Sequence, residues 1–524
     1  MNAPLPAPAL RRQRPHIAVI GAGPGGLASA MQLAASGARV TIYEKDGVAG
    51  GRTRTLTTEE GYRFDLGPTF FLYPRILEEI FASCGADLRE EVELIRLDPQ
   101  YRLVFEGPGG ASGGRNAVLD ATPDMDRMEA AIRAIAPQDA PGVRRFMTEN
   151  REKLKAFRPA LERPFLSPRD MVQGDMFKSL KHLRPHKMVD GDLRRYFSDP
   201  RIRLAFSFQT KYLGMSPFKC PSMFTILSFL EYEFGVFHPR GGCGAVSDAM
   251  ARVAQRLGVE IEFNTPVERI AFEGRRAVAV ETGGRRIATD AVVLNADFAH
   301  SVPKLIPPAI RKTWSDRKIE KSRYSCSTYM LYLGIEGTLP ELPHHTILLS
   351  QEYQRNIRQI ESGEIPDVPS LYIQNPVGTD ATMAPPGHSA LYVLVPVPNL
   401  RFGADWNVEA PKYRKIALDR LKTLGLHDLE SRIRYERAVT PQGWKDDFAV
   451  GYGATFNLSH DLMQMLSFRP RNRFNDTQGL YLVGGGTHPG SGLPVIYEGA
   501  RITTRLIQED LGLALVGSPA LAAQ

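Results

Sequence analysis

The chain is poor in the residues that disulfides and metal sites require. Its 524 residues include only four cysteines and eleven histidines. Cys84, Cys220, Cys243 and Cys326 stand far apart, without a CxxC pair or zinc-ligand spacing. That excludes a disulfide framework and a structural zinc site, and free thiols in a reducing compartment are expected. His182 and His186 are four apart, but Pro185 breaks the helix that would pair them, so they are expected on a solvated face. No run of eighteen or more apolar residues occurs, which excludes a spanning helix. The Pro/Ala-rich start lacks an export-signal core. The apolar run after Arg11-Arg12 reads as the first strand of a fold, not as a leader. No internal repeat is evident. With 43% hydrophobic and 23% charged residues, disorder is excluded, and the length suits two or three domains around a large core.

What is present is a βαβ signature. Residues 16–26 read His-Ile-Ala-Val-Ile-Gly-Ala-Gly-Pro-Gly-Gly. An apolar strand therefore enters a turn with glycines at 21, 23 and 26, a small-residue helix over 27–36 follows, and a second strand over 39–43 ends at Glu44. Gly21 permits the tight turn, Gly23 lets backbone approach a pyrophosphate, and Gly26 lets helix and strand pack closely. The helix N-terminus offers free N–H groups and partial positive charge to phosphates. Glu44 has the spacing to accept hydrogen bonds from a ribose. Dinucleotide binding is the expectation.

The next residues favour FAD over a nicotinamide cofactor. Gly50-Gly51-Arg52 adds a glycine pair and an arginine able to reach phosphate or flavin. A second glycine-rich segment lies at 479–494, patterned as strand, glycine turn and then a helix over about 494–509. A helix start near the flavin pyrimidine ring stabilises the anionic reduced flavin by roughly 0.3–1 kcal/mol when exposed, and by more when buried. Alone, this segment would read equally as a loop after an edge strand.

Charge is unevenly placed. Residues 144–203 hold sixteen Lys and Arg against eight Asp and Glu, whereas the whole chain carries a net charge of +7. Apolar residues interleave with these cations at 176–184, a pattern that suits an anionic membrane surface. A solubilising helical face is the plainer alternative. Nucleic acid is not expected, since no recognition motif accompanies the basic stripe.

The cofactor domain is expected to be discontinuous: 15–90, 236–300 and 476–510. Residues 91–235 read as a helical, basic membrane and substrate-entry region, and 301–475 as a β-rich substrate-binding domain. Within the second cofactor segment a helix over 245–257, a strand over 260–263 and a hairpin around Gly283-Gly284 precede the strand at 291–296. Val267 is placed to contact adenine through its backbone.

In several blocks the chain resembles the bacterial and fungal-type phytoene desaturases, a family of FAD-dependent carotenoid desaturases. They are Phe64-Asp65-Leu66-Gly67-Pro68-Thr69, residues 235–242, Asn295-Ala296-Asp297, Pro343-His344-His345-Thr346, Val395-Pro396-Val397-Pro398 and above all Gly486-Thr487-His488-Pro489-Gly490. The resemblance covers nearly everything after about residue 15. It implies an α/β fold: an FAD-binding Rossmann-type domain of the glutathione-reductase and amine-oxidase kind, a β-sheet substrate domain and a helical membrane-facing region. It also implies peripheral membrane association on the cytoplasmic side and a long acyclic isoprenoid substrate, with quinone or oxygen taking the electrons. The cofactor-contacting set becomes Gly21, Gly23, Pro24, Gly25, Gly26, Glu44, Lys45, Gly50, Gly51, Arg52, Gly67, Pro68, Thr69, Val267, Asn295, Gly484, Gly485, Thr487, His488, Gly492, Leu493, Pro494 and Val495. Family members carry an arginine three positions beyond an aspartate, proposed to act near the flavin. Arg151 matches it, but Thr148 stands at the aspartate position.

Desaturating a CH2–CH2 unit beside an alkene removes a hydride and a proton from carbons that no side chain acidifies, so the cofactor must take the hydride. A weak base or water then suffices for the proton. Glu498 is a candidate base or a structural residue of the last helix, and His488 a turn-shaping residue. Phe206, Phe208, Met223, Phe224, Phe229 and Tyr232 are candidate tunnel walls, or core. A related carotenoid isomerase, terminal oxidase or retinoid saturase, and a non-catalytic lipid carrier, are the alternative functions.

Overall fold

The computed structural model describes residues 14–107, 116–172 and 183–516. The N-terminal tail and most of the apolar-basic run at 176–184 lie outside the described residues.

Three distant parts of the chain build one five-stranded parallel sheet. Its order is Glu260–Glu262, Arg39–Tyr43, His16–Ile20, Ala291–Leu294, Leu480–Leu482. The central register pairs Val19 with Ile42 on one side and with Val293 on the other. His16–Ile20, Ala291–Leu294 and Leu480–Leu482 are buried along their whole length because both faces are covered, as parallel sheets require. On one face lie the helices Pro24–Ala35, Gly244–Arg256 and Leu493–Leu511, whose Leu27, Met31, Met250, Tyr497 and Ile502 share one core with Ile17 and Val19. The other face buries Ala18, Ile20 and Val292 against Ile270 and Val280 of an antiparallel three-stranded sheet, Arg269–Glu273, Arg276–Thr282 and Arg285–Ala288. Each fully buried aliphatic side chain here stabilises the fold by roughly 1.5–3 kcal/mol. The two ends of the chain are tied directly: Gln508 Nε2 of the last helix donates to Ser36 Oγ, which caps the first, at 2.5 Å.

A seven-stranded sheet forms the second layer system, in the order Ile433–Val439, Ser327–Glu336, His388–Val397, Leu371–Gln374, His345–Leu349, Tyr101–Phe105, Ala117–Ala121. One face carries Leu331, Leu333 and Val393 against the helix Trp406–Lys422. The opposite face carries Tyr332 and Tyr392 against Phe64 and Leu66. Two of its strands come from the segment expected to be helical. Tyr101 and Leu103 alternate with Arg102, and Leu119 and Ala121 with Asp120, which is a period of two hidden inside a charged stretch. The rest of that segment is helical, with Gly142–Leu161 and Ile226–Phe234 its main members.

Candidate active site

The N-terminal glycine turn is shaped by steric exclusion. Gly21 has φ +98°, and a Cβ there would overlap the Asn295 carbonyl oxygen. A Cβ at Gly26 would overlap the Gly21 carbonyl oxygen, and one at Gly25 would lie 2.9 Å from Val483 Cγ2. Asn295 Nδ2 donates to the Gly21 carbonyl at 3.0 Å, so Asn295 braces the turn. Pro24 opens the helix, and the N–H groups of Gly25 and Gly26 have no intrahelical acceptor. Glu44 is buried at the end of the second strand and accepts from the N–H of Ala22 at 2.7 Å and of Asp46 at 2.9 Å. Gly51 faces Gly23 across the turn: a Cβ on Gly51 would meet Gly23 Cα at 3.6 Å, and Gly50 N–H donates to the Ala22 carbonyl at 2.8 Å.

The C-terminal glycine segment follows Leu480–Leu482, on the far side of Ala291–Leu294 from the first strand, and its anchor is a residue that motif reading passes over. The guanidinium of Arg469 is fully buried and has no carboxylate partner among the described residues. It donates instead to carbonyls of both loops: Gly485 at 2.6 Å, Thr487 and Leu458 at 3.2 Å, Gln464 at 3.3 Å and Ser459 at 3.4 Å. Burial pushes its pKa down to about 9. His460 Nε2 accepts from Ser491 N–H at 3.1 Å, and Asn472 Nδ2 donates to the His488 carbonyl at 3.0 Å. His488 is buried, with Nε2 at 3.0 Å from the Arg163 carbonyl, and burial pushes its pKa down to about 3. It is thus a neutral ring that shapes the loop. Gly492, at φ +103°, caps the last helix, Pro494 sits in its first turn, and Leu493 and Val495 follow the cap with N–H groups that have no intrahelical acceptor. Gly484 has φ +115°.

Three tyrosines of the seven-stranded sheet hold the segment that includes Gly67, Pro68 and Thr69. Tyr332 donates to the Leu66 carbonyl at 2.6 Å, Tyr392 to the Gly67 carbonyl at 2.7 Å, and the Tyr372 hydroxyl lies 2.5 Å from Thr69 Oγ1. Tyr372 also meets His345 Nδ1 at 2.8 Å, and the His345 ring stacks on Phe70 at 4.1 Å. Burial holds His344 and His345 neutral, well below the usual histidine range.

Other sequence-predicted residues take different surroundings. Arg52 is turned to the Thr455 carbonyl, 2.6 Å away, and to the carboxylate of Asp297, which opposes the downward pull of burial on its pKa. Lys45 pairs with Asp46 at 2.9 Å near the surface. Val267 is half-buried, and among the described residues no hydrogen bond uses its N–H or C=O. Arg151 forms a two-pronged ion pair with Glu233, at 2.7 and 2.9 Å, and 44% of its side chain is exposed. Glu498 is buried beside Arg501 Nη1 at 3.2 Å, which also holds Glu79 at 2.9 Å. Burial outweighs the arginine and pushes the Glu498 pKa up to about 7. The candidate tunnel residues Phe206, Phe208, Phe229 and Tyr232 share one core cluster, Met223 lies in an adjoining one, and Phe224 packs against both.

The residues fit a dinucleotide cofactor. Two helix N-termini with unpaired N–H groups follow the strands that flank Ala291–Leu294, glycines face each other where side chains would fill the space, and a buried carboxylate ends the second strand. What motif reading missed is the support: Arg469, His460 and Asn472 come from segments without glycine patterns.

Residues 24–505 match the flavin containing amine oxidoreductase family. The chain is 41% identical over 497 residues to a 4,4'-diapophytoene desaturase (4,4'-diapolycopene-forming) of Methylomonas, covering 94% of this chain and 95% of that protein. It is 39% identical to an all-trans-zeta-carotene desaturase of Myxococcus xanthus, over 95% of this chain and 94% of the relative. A lycopene-forming phytoene desaturase of Pantoea ananas is 36% identical, over 94% and 99%. Among solved structures, an oxidoreductase of Methanosarcina mazei shares the fold with a TM-score of 0.61 at 17% identity, over 94% of this chain and all of that one. Putrescine oxidase does so with a TM-score of 0.59 at 14% identity, over 95% and 99%. The chain is therefore a member of the flavin containing amine oxidoreductase family and, within it, of the phytoene-desaturase type.

Proposed function

We propose that this protein desaturates an acyclic carotenoid precursor, phytoene or its C30 analogue 4,4'-diapophytoene, with FAD as cofactor. The observation that carries the reading is 41% identity to a diapophytoene desaturase across 94% of the chain. When bound, FAD supplies the hydride acceptor that an unactivated CH2–CH2 unit requires. The chain supplies the grip. Backbone N–H groups after Gly23 and after Gly492 would hold the phosphates and the flavin, Glu44 would hold the ribose, and the Val267 backbone would hold the adenine. Gly67, Pro68 and Thr69, in a segment held by three tyrosines, would line the flavin. Arg52, next to Asp297, orders the loop beneath rather than reaching phosphate itself.

The substrate is a long hydrocarbon, and each CH2 that leaves water gains roughly 0.8 kcal/mol, so it stays in a bilayer. A surface suited to meet it there is present. Leu462, Met463 and Phe468 are exposed at 43%, 70% and 42%. Their segment is joined to the basic region by Ser467 Oγ, which donates to the Ser167 carbonyl at 3.0 Å; Arg169, two residues on from Ser167, is exposed, and so is Arg323, which pairs with Asp461 at 3.7 Å. Apolar side chains beside cations favour an anionic leaflet. No helix among the described residues is long and apolar enough to cross a membrane.

The test is incubation of the FAD-loaded protein with liposomes carrying phytoene or 4,4'-diapophytoene, with products read by visible absorption. New polyene bands are expected. Unchanged substrate in both cases, with FAD bound, would overturn the reading.

A further inference from the structure

Three aromatic side chains deep in the molecule keep accessible surface, and they stand beside the segment assigned to the flavin. Phe70 directly follows Thr69, and its ring centre lies 5.3 Å from those of Tyr212 and of Tyr372. All three are only partly buried, whereas Tyr101 and Phe208, which they pack against, are buried. The accessible surface is internal. Tyr372 stands on Leu371–Gln374, the central strand of the seven-stranded sheet, and all three rings adjoin the core of the helical region. Burial is also the largest cause that raises the pKa of Tyr212 and Tyr372 well above the usual tyrosine range. The rings therefore line a crevice between the sheet and the helices.

The polar ends of these side chains are occupied elsewhere. The Tyr212 hydroxyl is buried, and that of Tyr372 lies 2.5 Å from Thr69 Oγ1 and 2.8 Å from His345 Nδ1. The His345 ring stacks on Phe70 at 4.1 Å, and burial holds it neutral, so it sets no positive charge behind Phe70. That suits one chemical task. Loss of hydride from a carbon beside an alkene leaves an allylic cation, which the site has to stabilise without reacting with it. Water or a carboxylate touching the cationic carbon would add to it, giving an alcohol or an ester. A ring face attracts the charge through its quadrupole and has no lone pair to add.

We propose that the rings of Phe70, Tyr212 and Tyr372 hold the reacting carbons of the substrate and stabilise the allylic cation, which makes Phe70 a catalytic residue; the inference rests on the function proposed above. One C–H bond gives up its hydrogen with both electrons, as hydride to FAD. The cation lies against the rings until the adjacent C–H bond gives its proton to water at the rim of the crevice. The electron pair left behind closes the new C=C.

The experiment replaces Phe70 by mono-, di- and trifluorinated phenylalanine, which keep its shape while withdrawing charge from the ring face, and adds Phe70→Leu. With FAD bound, the anaerobic rate of flavin reduction by phytoene or 4,4'-diapophytoene in liposomes should fall with each fluorine. The fall should reach roughly 5–30-fold across the series, and a similar factor in Phe70→Leu. Binding supplies a readout apart from turnover. A long acyclic isoprenoid ammonium ion, whose charged nitrogen stands in for the cationic carbon, should lose affinity in the same order, while the matching neutral hydrocarbon keeps its own. FAD content and melting temperature should stay at wild-type values throughout the fluorinated series. A flat series in either measurement would overturn the proposal, as would equal losses for the ammonium ion and the hydrocarbon. If Phe70→Leu fails to fold, the fluorinated proteins decide alone. A wild type whose flavin neither precursor reduces overturns the function instead, and the ammonium series still tests the rings.

Discussion

Arg469 Nη2 donates a 2.6 Å hydrogen bond to the carbonyl of Gly485. That bond joins a buried cation without a carboxylate to the loop expected to close over the flavin, and four more carbonyls share the same guanidinium. Arg469→Leu should strand those carbonyls, destabilise the protein by at least about 3 kcal/mol and release FAD. Arg469→Lys, with one compact charge instead of a planar fork, should recover little. Thermal melting and the ratio of flavin to protein absorbance check both.

Gly26→Ala should separate folding from cofactor binding. The new Cβ has to displace the Gly21 carbonyl, which rearranges the turn at a cost of roughly 1–3 kcal/mol. The expected product is a folded but colourless protein that free FAD does not restore, measured by absorbance and by fluorescence titration.

Glu498→Gln tests a structural role for a buried carboxyl. Its folded pKa, about 7, lies above the ordinary glutamate value of 4.5, so the stability this group contributes is complete below about pH 4.5 and is lost as pH rises through 7. Glutamine has no charge to bury. The melting temperature of the variant should therefore gain on the wild type between about pH 5 and pH 8, while turnover and bound FAD stay near wild type. A collapse of turnover with stability intact would instead make Glu498 part of the reaction.

Arg151→Ala should change stability by about 1 kcal/mol at most, as expected for a partly exposed ion pair. Turnover should stay close to wild type, because Glu233 and the Phe229 ring are the groups that engage the guanidinium. A large fall in kcat with unchanged melting would restore a role beside the cofactor.

Replacing Leu462, Met463 and Phe468 together by serine should cut liposome binding by at least ~100-fold, since each large side chain contributes roughly 1.5–3 kcal/mol on leaving water. FAD content should not change. Deleting 165–190 would be a poorer test, because it removes Phe165 and Leu183 from the core and the Arg184 pair with Asp192. Co-sedimentation with anionic and neutral vesicles reads the effect.

Features that depend on a few consecutive residues are legible in the amino-acid sequence. A glycine turn between an apolar strand and a small-residue helix is a local steric problem with one common solution, so residues 16–44 and 479–509 read directly as strand, turn and helix, and the last helix is Leu493–Leu511. The strands Tyr101–Phe105 and Ala117–Ala121 are not legible in this way, because five alternating residues inside a charged stretch carry too weak a pattern.

The sequence by itself determined the cofactor class and the family, since backbone geometry at glycines and helix starts is written in neighbouring residues. Only the tertiary structure decided which side chains support the site. Arg469 meets Gly485 and Tyr392 meets Gly67 across sixteen to more than three hundred residues of chain. Burial then sets their chemistry: a glutamate is an ordinary solvated carboxylate at a surface, whereas burial pushes the pKa of Glu498 up to about 7.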